Sequence, residues 1–221
     1  MSGPYGLDRL LRAAELIERE TGRGIRGRAV LEIGANIGTT TIPLLTVLGA
    51  AHVHAFEPVP RNYRLLEQNI RLNDLFRRAT LYELAVSDQI GNVALAVSDR
   101  FWGSARVSGE GVHEARAVTL DALLSDGTLD AAQLALVWID VEGHEAAVLA
   151  GATRLGKVPI VLEHDPAQQA DLARLHELIA SRKADLYDLA SGALVELAEL
   201  GDRATDVLVL PRPCATTDSP Q

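Results

Sequence analysis

The sequence predicts an α/β fold: a mostly parallel, seven-stranded Rossmann-like sheet with helices on both faces and an antiparallel C-terminal strand. Three observations support this fold class. Short apolar runs alternate with amphipathic stretches, a glycine loop follows the first apolar run, and the last apolar runs are joined by short turns. Strands that alternate with helices form βαβ units, and such units build parallel sheets that are covered on both sides.

The first predicted helix is Leu7–Arg19, because its apolar residues recur at helical spacing on one stripe. The run Leu134–Val141 is apolar except at Asp140, as is typical of a strand that is buried on both faces. The other predicted strands in this part of the chain are Arg28–Ile33, Ala51–Phe56, Thr80–Val86 and Val158–Glu163, and the helices are Thr39–Leu48, Arg61–Leu72, His144–Leu155 and Ala167–Arg182.

Two regions predict antiparallel pairing. Asp88–Asn92 has the composition of a tight turn, so Val93–Val97 is expected to pair with Ala115–Leu120. Near the C-terminus, three further strands with short connections are predicted over Asp185–Leu189, Ala193–Leu197 and Asp206–Leu210. We therefore expect an N-terminal helix acting as a lid or cap over residues 1–27, a cofactor-binding domain over 28–210, and a disordered tail over 211–221.

The composition of the chain favours some classes of function and disfavours others. A chain of 221 residues with 48% hydrophobic content can bury one full core. The net charge of −9 lacks the basic face that phosphate backbones require, which disfavours nucleic acid as a partner and favours a small molecule. The chain has one cysteine, Cys214, no signal-peptide pattern, and apolar runs too short to cross a bilayer, so we expect a cytoplasmic protein without a membrane partner. The oligomeric state is not predicted.

The glycine loop follows the first predicted strand, where open parallel sheets bind their ligands. Glu32 precedes Gly34 and Gly38, whose missing Cβ atoms are expected to let the backbone approach a ligand closely. The G-x-x-x-G spacing differs from that of dinucleotide and P-loop sites. The Glu32 carboxylate would repel a pyrophosphate but attract the ammonium and sulfonium groups of S-adenosylmethionine, so this cofactor is predicted.

Glu57 ends the second predicted strand and is followed by Pro58, which stops strand pairing. An acidic residue about twenty positions after a glycine loop suits the hydroxyls of a ribose. The position of Glu57 therefore supports a nucleoside cofactor.

The chain also resembles the FkbM family of methyltransferases over about Arg28 to Asp165. The resemblance rests on V-L-E-I-G-A-N-I-G, A-F-E-P-V-P-R-N-Y-R-L-L-E-Q-N, L-A-V-S-D-Q-I-G-N, V-T-L-D-A-L and W-I-D-V-E-G-H-E, in that order. It implies a class I methyltransferase fold, S-adenosylmethionine as the cofactor, and often O-methylation of sugars, polyketides or related small molecules.

The resemblance also implies roles for individual residues. On the cofactor side these are Glu32, Gly34, Ala35, Asn36, Gly38 and Thr39 in the loop, Glu57 and Pro58 beside the ribose, Ala85 and Val86 beside the adenine, and Asp140. Asp140, Glu142, Gly143 and Glu145 match the family's D-x-E-G-x-E block. Members of the family often have a longer N-terminal region that helps to cover the site. Because fewer residues precede the first predicted strand here, the resemblance does not predict the identity of the substrate.

Asp140 ends the most apolar predicted strand, which lies beside the glycine-loop strand if the strand order is 3-2-1-4-5. A hydroxyl acceptor has to lose a proton, and Asp140 or His144 is the expected catalytic base. A divalent metal is a second interpretation, since Asp140, Glu142, His144, Glu163, His164 and Asp165 carry suitable ligand atoms; the sequence does not favour it. A third is that the block only caps the following helix.

The remaining candidates are weaker. His52 and His54 share one face of the second predicted strand, where packing is the simpler role. The loop Phe101–Ser104 is a candidate lining of the acceptor pocket. Two other functions remain open: a scaffold of the same fold that holds the cofactor without catalysis, and methylation of a nitrogen or carboxylate acceptor.

Overall fold

The computed structural model describes residues 6–97, 105–107, 113–168 and 171–212. The strands are β1 (Ala29–Ile33), β2 (His52–Phe56), β3 (Ala79–Tyr82), β4 (Ala85–Val86), β5 (Gly91–Val97), β6 (Ala105–Val107), β7 (His113–Val118), β8 (Leu134–Ile139), β9 (Ile160–His164), β10 (Ala184–Asp188), β11 (Leu194–Val195) and β12 (Thr205–Pro211). The α-helices are α1 (Leu7–Thr21), α2 (Thr41–Thr46), α3 (Pro60–Leu72), α4 (Leu120–Ser125), α5 (Glu145–Ala150), α6 (Leu172–Ser181) and α7 (Leu197–Leu200).

The main sheet has the order β11-β10-β12-β9-β8-β1-β2-β3. The strands β3, β2, β1, β8 and β9 are parallel, while β12 is antiparallel to both of its neighbours. This arrangement confirms the predicted fold class. The order of the parallel strands is 3-2-1-4-5, the condition under which the sequence predicts that β8 lies beside β1. Among the described residues, the main sheet has eight strands rather than the predicted seven. The strand at its edge is β11, two residues within the predicted strand Ala193–Leu197.

The central strand β8 divides the core into two layers. All six of its residues are buried, as the continuous apolar run predicts. Val137 and Ile139 face one layer, whereas Leu136 and Trp138 face the other. The helix α1 packs into that second layer through Leu10, Ala13, Leu16 and Ile17. Its stripe is therefore part of the core, and its role as a lid stays a prediction.

The predicted strand Thr80–Val86 is wrong as a single element, because the chain changes sheets within it. Tyr82 pairs with Phe56, the last residue of β2, and the two rings stack with centroids 4.3 Å apart. The pairing with β2 ends there, because the next amide in register, that of Val59, donates to Glu57 Oε1 instead. Ala85 and Val86 instead pair with β7 in a second sheet of order β4-β7-β5-β6. The predicted antiparallel pairing of Val93–Val97 with Ala115–Leu120 is confirmed by β5 and β7. The predicted turn Asp88–Asn92 does not join two paired strands, because β7 lies between β4 and β5.

Several helices are shorter than the apolar pattern predicts. Helix α2 covers only part of Thr39–Leu48, and α5 ends at Ala150, before a separate 3₁₀ turn at Thr153–Leu155. Helix α6 begins five residues late because Asp171 caps it, accepting a hydrogen bond from the Arg174 amide at 2.9 Å. The sequence missed α4, which Thr119 caps in the same way, and it also missed α7 and β6.

The C-terminal strand continues to Pro211, one residue beyond the predicted domain boundary. The rest of the predicted tail, from residue 213 onward, lies outside the described residues. Within the described ranges, none of the helices has the length and apolar character that crossing a bilayer requires.

Candidate active site

A narrow cavity opens at the carboxyl ends of β1, β2 and β8. Because β2 and β8 lie on opposite sides of β1, this is the point where the strand order reverses, which is where open parallel sheets bind ligands. The cavity is lined by Ile33, Gly34, Asn36, Phe56, Glu57, Pro58, Asn62, Leu84, Ala85, Val86, Leu95, Asp140, Val141, Glu142 and His144. The structure thus brings together seven of the predicted cofactor residues and both predicted bases.

The glycine loop packs tightly against the rest of the chain. The amides of Gly34 and Ala35 both donate to the carbonyl oxygen of Phe56 at 2.9 Å. Gly34 has φ +89°, and a Cβ there would lie 1.8 Å from the carbonyl oxygen of Asp140. A Cβ on Gly38 would meet Leu66 of α3 at 3.0 Å. The glycines therefore make room for the protein's own chain, a reason that the sequence did not reveal.

Besides Glu32, three predicted loop residues are not among those that line the cavity. Ala35 is 1% exposed and Gly38 is buried, whereas Thr39 is exposed. Their predicted contact with the cofactor stays a prediction.

Asn36 presents an unsatisfied acceptor at the cavity wall. Its backbone has φ +50°, a left-handed conformation that asparagine tolerates better than most residues. Its amide donates to Glu57 Oε2 at 2.8 Å. Its side-chain Oδ1 is buried and has no hydrogen-bond partner within the described part of the chain. A buried acceptor without a partner costs free energy, so this atom suits a donor group on a bound ligand.

Glu57 is 4% exposed and is fixed by backbone amides. Its Oε1 accepts from the Val59 amide at 2.9 Å, while Oε2 accepts from Asn36. Burial raises the pKa of Glu57 to about 6, and hydrogen bonds from Val59, Asn36 and Asn62 oppose the rise. A carboxylate can accept about four hydrogen bonds, so capacity remains for the hydroxyls of a ribose.

Glu32 lies beneath the loop rather than in the cavity lining. Its side chain is 1% exposed, and Thr41 Oγ1 donates to its Oε2 at 2.6 Å. Burial raises the pKa of Glu32 to about 8, and the charges of Asp140 and Glu57 add to the rise. A group with this pKa is mostly protonated at neutral pH. Glu32 therefore ties β1 to α2, and its predicted attraction to a cationic cofactor stays a prediction.

Acidic side chains surround the mouth of the cavity next to β8. Asp140 follows β8, and its amide donates to the Ile33 carbonyl at 2.9 Å. Its side chain reaches solvent but lies inside the cleft, where desolvation and the charges of Asp206, Glu142 and Glu145 raise the pKa of Asp140 to about 7. Desolvation and neighbouring carboxylates likewise raise the pKa of Glu163 to about 7. Carboxyl groups with such pKa values can accept protons near neutral pH.

His144 lies at the start of α5 and lines the same cavity. Its Nε2 is 2.9 Å from Ser87 Oγ, and burial lowers the pKa of His144. Glu145 has a different role: it is fully buried, and its Oε1 accepts from the Val141 amide at 3.3 Å. Glu145 therefore fixes the loop before α5 from the first turn of that helix, where the side chain of the N-cap residue His144 forms no capping hydrogen bond. Asp140 and His144 line the cavity instead.

The side chains proposed for a metal are dispersed. His164 is fully buried; its Nε2 is 3.0 Å from His176 Nε2, and its Nδ1 is 3.2 Å from the Arg203 carbonyl oxygen. Asp165 holds the following turn by accepting from the Ala167 amide at 3.0 Å. In the described ranges, no group of three or more His, Cys, Asp or Glu side chains is arranged to hold a metal ion.

Two predicted candidates lie elsewhere or outside the described residues, and three cavity residues were not predicted. His52 Nε2 lies 2.8 Å from Thr80 Oγ1, and His54 Nδ1 lies 3.1 Å from the Tyr82 hydroxyl, as expected for packed strand residues. The loop Phe101–Ser104 lies outside the described residues. The sequence missed the cavity residues Asn62, Leu84 and Leu95, because nothing in the local pattern indicates which helix or hairpin residues face β1.

The sheet order and the position of the cavity define a Rossmann-like protein of the class I methyltransferase type. The family model described as the methyltransferase FkbM domain matches residues 32–187, which is more than half of the chain. The chain therefore belongs to the FkbM methyltransferase family.

Two characterised sequences are similar to parts of the chain. One is the 2-O-methyltransferase NoeI of Sinorhizobium fredii (strain NBRC 101917 / NGR234), with 30% identity over 139 residues, or 55% of this chain and 56% of NoeI. The other is the tRNA wybutosine-synthesizing protein 2 homolog of Danio rerio, with 34% identity over 76 residues, or 32% of this chain and 19% of that protein. The chain thus spans little more than half of NoeI and a much smaller part of the second relative.

Solved structures agree with the fold. The methyltransferase FkbM from Methylobacillus flagellatus KT has a TM-score of 0.56 at 15% identity, covering 83% of this chain and 43% of that one. The O-methyltransferase from Bacillus cereus in complex with SAH (S-adenosylhomocysteine) has a TM-score of 0.55 at 16% identity, covering 95% of this chain and 82% of that one. At these identities the likeness concerns the fold alone.

Proposed function

We propose that the chain transfers a methyl group from S-adenosylmethionine to a hydroxyl oxygen of a small molecule such as a sugar, a polyketide or another secondary metabolite. The observation that carries the proposal is the cavity itself. Glu57 and the unpartnered Oδ1 of Asn36 lie on one side, while Asp140 and His144 lie on the other. The 2-O-methyltransferase activity in the name of NoeI supports oxygen as the acceptor atom.

The residues present fit this cofactor. Glu57 can accept the ribose hydroxyls, Asn36 Oδ1 can accept from a donor group, and the buried apolar pair Ala85 and Val86 can flank the adenine. When bound, the cofactor supplies an electrophilic methyl group on a positively charged sulfur. Glu32 acts from beneath the loop in this proposal, by holding β1 and α2 together through Thr41.

The chain's own contribution is to orient the acceptor and to take up its proton. Holding two reactants in line can contribute roughly 7–11 kcal/mol to the acceleration. A general base adds a factor of about 10²–10⁴. Asp140 and His144 are the two groups placed to act as that base, because both line the cavity. The pKa of Asp140 is raised to about 7, and burial lowers the pKa of His144, which favours its neutral form.

The proposal has three further parts that rest on the sequence. The acceptor is a small molecule rather than a nucleic acid, since the net charge of −9 does not attract phosphate backbones. The cytoplasmic location and the place in secondary metabolism stay predictions. The base mechanism is favoured over a divalent metal, and activity that is lost with EDTA and restored by Mg²⁺ or Mn²⁺ would contradict this part.

The test is a methyl-transfer assay with isotopically labelled S-adenosylmethionine and a panel of hydroxyl, amine and carboxylate acceptors. We expect label on a hydroxyl product, with reduced turnover in Asp140→Asn or His144→Ala. Glu67→Gln is the matched control, because Glu67 lies on the exposed face of α3, where it pairs with Arg71. Cofactor binding without turnover on the whole panel would favour the scaffold interpretation, and label on amines alone would contradict the oxygen acceptor.

A further inference from the structure

A chain of polar side chains extends from the cavity to the surface behind His144. His144 Nε2 is 2.9 Å from Ser87 Oγ, and Ser87 Oγ donates to Asp88 Oδ1 at 3.3 Å. Asp88 in turn forms an ion pair with Arg174 of α6, where the nearest atoms are 3.3 Å apart. Neither Ser87 nor Asp88 lines the cavity, so their connection to it is through His144.

Ser87 is held in place by its backbone. The residue is 2% exposed, and its amide donates to the Val118 carbonyl at 2.9 Å. Its own carbonyl packs against Gly151 at the end of α5, where a Cβ would lie only 2.2 Å from that oxygen. The hydroxyl that faces His144 therefore sits between two fixed elements, β4 and α5.

The direction of the hydrogen bonds follows from what each group can donate. When His144 is protonated, both ring nitrogens carry hydrogen, so Ser87 Oγ must accept from Nε2. The single hydroxyl hydrogen of Ser87 must then go to Asp88, because a carboxylate only accepts. If Nε2 also donates to Ser87 when the ring is neutral, then Nδ1 is the nitrogen without a hydrogen, and it can accept a proton. Nε2 is the nitrogen turned toward Ser87, so Nδ1 is the one left for a ligand.

From this geometry we propose that Ser87 and Asp88 are positioning residues that make His144 the proton acceptor of the reaction, through Nδ1. The inference rests on the proposed methyl transfer. The acceptor's O–H bond would break as its proton passes to Nδ1, and the oxygen would use the freed electron pair to bond the methyl carbon. The bond from that carbon to the cofactor's sulfur would break at the same time, with its electron pair kept by sulfur, so that the neutral thioether leaves. The imidazolium later returns the proton to water. Asp88 stabilises the positive ring through Ser87, because it accepts the hydroxyl hydrogen of Ser87 while Ser87 Oγ accepts from Nε2.

Other charges also face His144. Asp88 favours its protonated form, while burial, which is the larger effect, disfavours it. Asp140 and Glu142, after β8, line the same cavity, and Glu145 is the next residue along α5. Arg174 partly neutralises Asp88. Removing Asp88 should therefore lower the pKa of His144, whereas removing Arg174 should raise it, because Asp88 is then unopposed.

The experiment is a nitrogen-15 NMR titration of the histidine side chains in the full chain, with the His144 signals assigned by their loss in His144→Gln. We expect the neutral ring to carry its hydrogen on Nε2. Asp88→Ala and Arg174→Ala should shift the titration in opposite directions, which a purely structural effect would not do. Both side chains are partly exposed, so the fold should persist. A ring with its hydrogen on Nδ1, or shifts of the same sign, would overturn the proposal.

Kinetics provide the second readout. Asp88→Ala should lower kcat, by less than the roughly 10²–10⁴-fold that a general base itself contributes, while the affinity for SAH is unchanged. Ser87→Thr keeps a hydroxyl and should retain most of the activity that Ser87→Ala loses. An unchanged kcat in Asp88→Ala with active wild type would overturn this inference but leave the methyltransferase proposal intact. Failure of the wild type on every acceptor would overturn both.

Discussion

The replacement Gly34→Ala tests how the glycine loop meets the end of β8. The added Cβ would lie 1.8 Å from the carbonyl oxygen of Asp140, well short of the 3.4 Å at which ordinary contact begins. Because the obstructing atom is backbone, the loop or the strand end must move. Overpacking of this kind costs about 1–3 kcal/mol, and the left-handed φ of +89° adds roughly 1–2 kcal/mol for a residue with a Cβ.

Gly127→Ala is the matched control for this prediction. Gly127 has a similar φ of +80°, but nothing lies within 4 Å of the position its Cβ would take. It should lose only the conformational part, about 1–2 kcal/mol. The assay is denaturant unfolding of both variants, followed by calorimetric titration with SAH. We expect Gly34→Ala to be the less stable variant and to bind SAH more weakly. Equal unfolding midpoints would refute the account of the Gly34–Asp140 contact.

Two further predictions concern buried carboxyl groups and pH. The pKa of Glu32 is about 8 in the folded chain and near its ordinary value when unfolded, so the folded state binds this proton more tightly and loses stability as pH rises between those values. As pH rises from about 5 to about 9, the melting temperature of the wild type should therefore fall relative to that of Glu32→Gln. A difference in melting temperature that stays constant over this range would contradict the raised pKa. Asp188 is 1% exposed, and although burial opposes it, hydrogen bonds and the charge of Arg203 lower its pKa to about 2. Its stabilisation is present above the unfolded pKa of about 4 and is lost as pH falls through about 2, so the melting temperatures of Asp188→Ala and wild type should converge in acid; a gap that persists there would contradict this assignment.

The sequence predicts well those features that depend on local pattern. The apolar run of β8 requires burial on both faces, and its alternation correctly separates Trp138 from Ile139. Glu57 is found in the cavity because a residue at the end of a parallel strand projects toward the carboxyl edge wherever its neighbours lie. The parallel direction of the strands follows from the βαβ pattern. These features need no knowledge of distant contacts.

Features that depend on distant contacts could not be predicted. The contact that requires Gly34 to be glycine is with Asp140, more than a hundred residues away, so the sequence suggested a ligand in its place. Likewise, Glu32 follows the strand alternation, but only the packed structure shows that its oxygen meets Thr41. The pairing of Ser87 with His144 has no local signal at all, because it arises where the second sheet meets α5.

The most direct test of the central claim is a calorimetric titration of the chain with SAH. We expect saturable binding to the wild type. Glu57→Ala should bind about 10-fold to 100-fold more weakly, since a hydrogen bond to a charged group contributes roughly 1.5–3 kcal/mol. Glu67→Ala, on the exposed face of α3, should match the wild type. No binding by the folded wild type at about 1 mM SAH, the concentration that corresponds to about 4 kcal/mol of binding free energy, would contradict the assignment of this cavity to the cofactor.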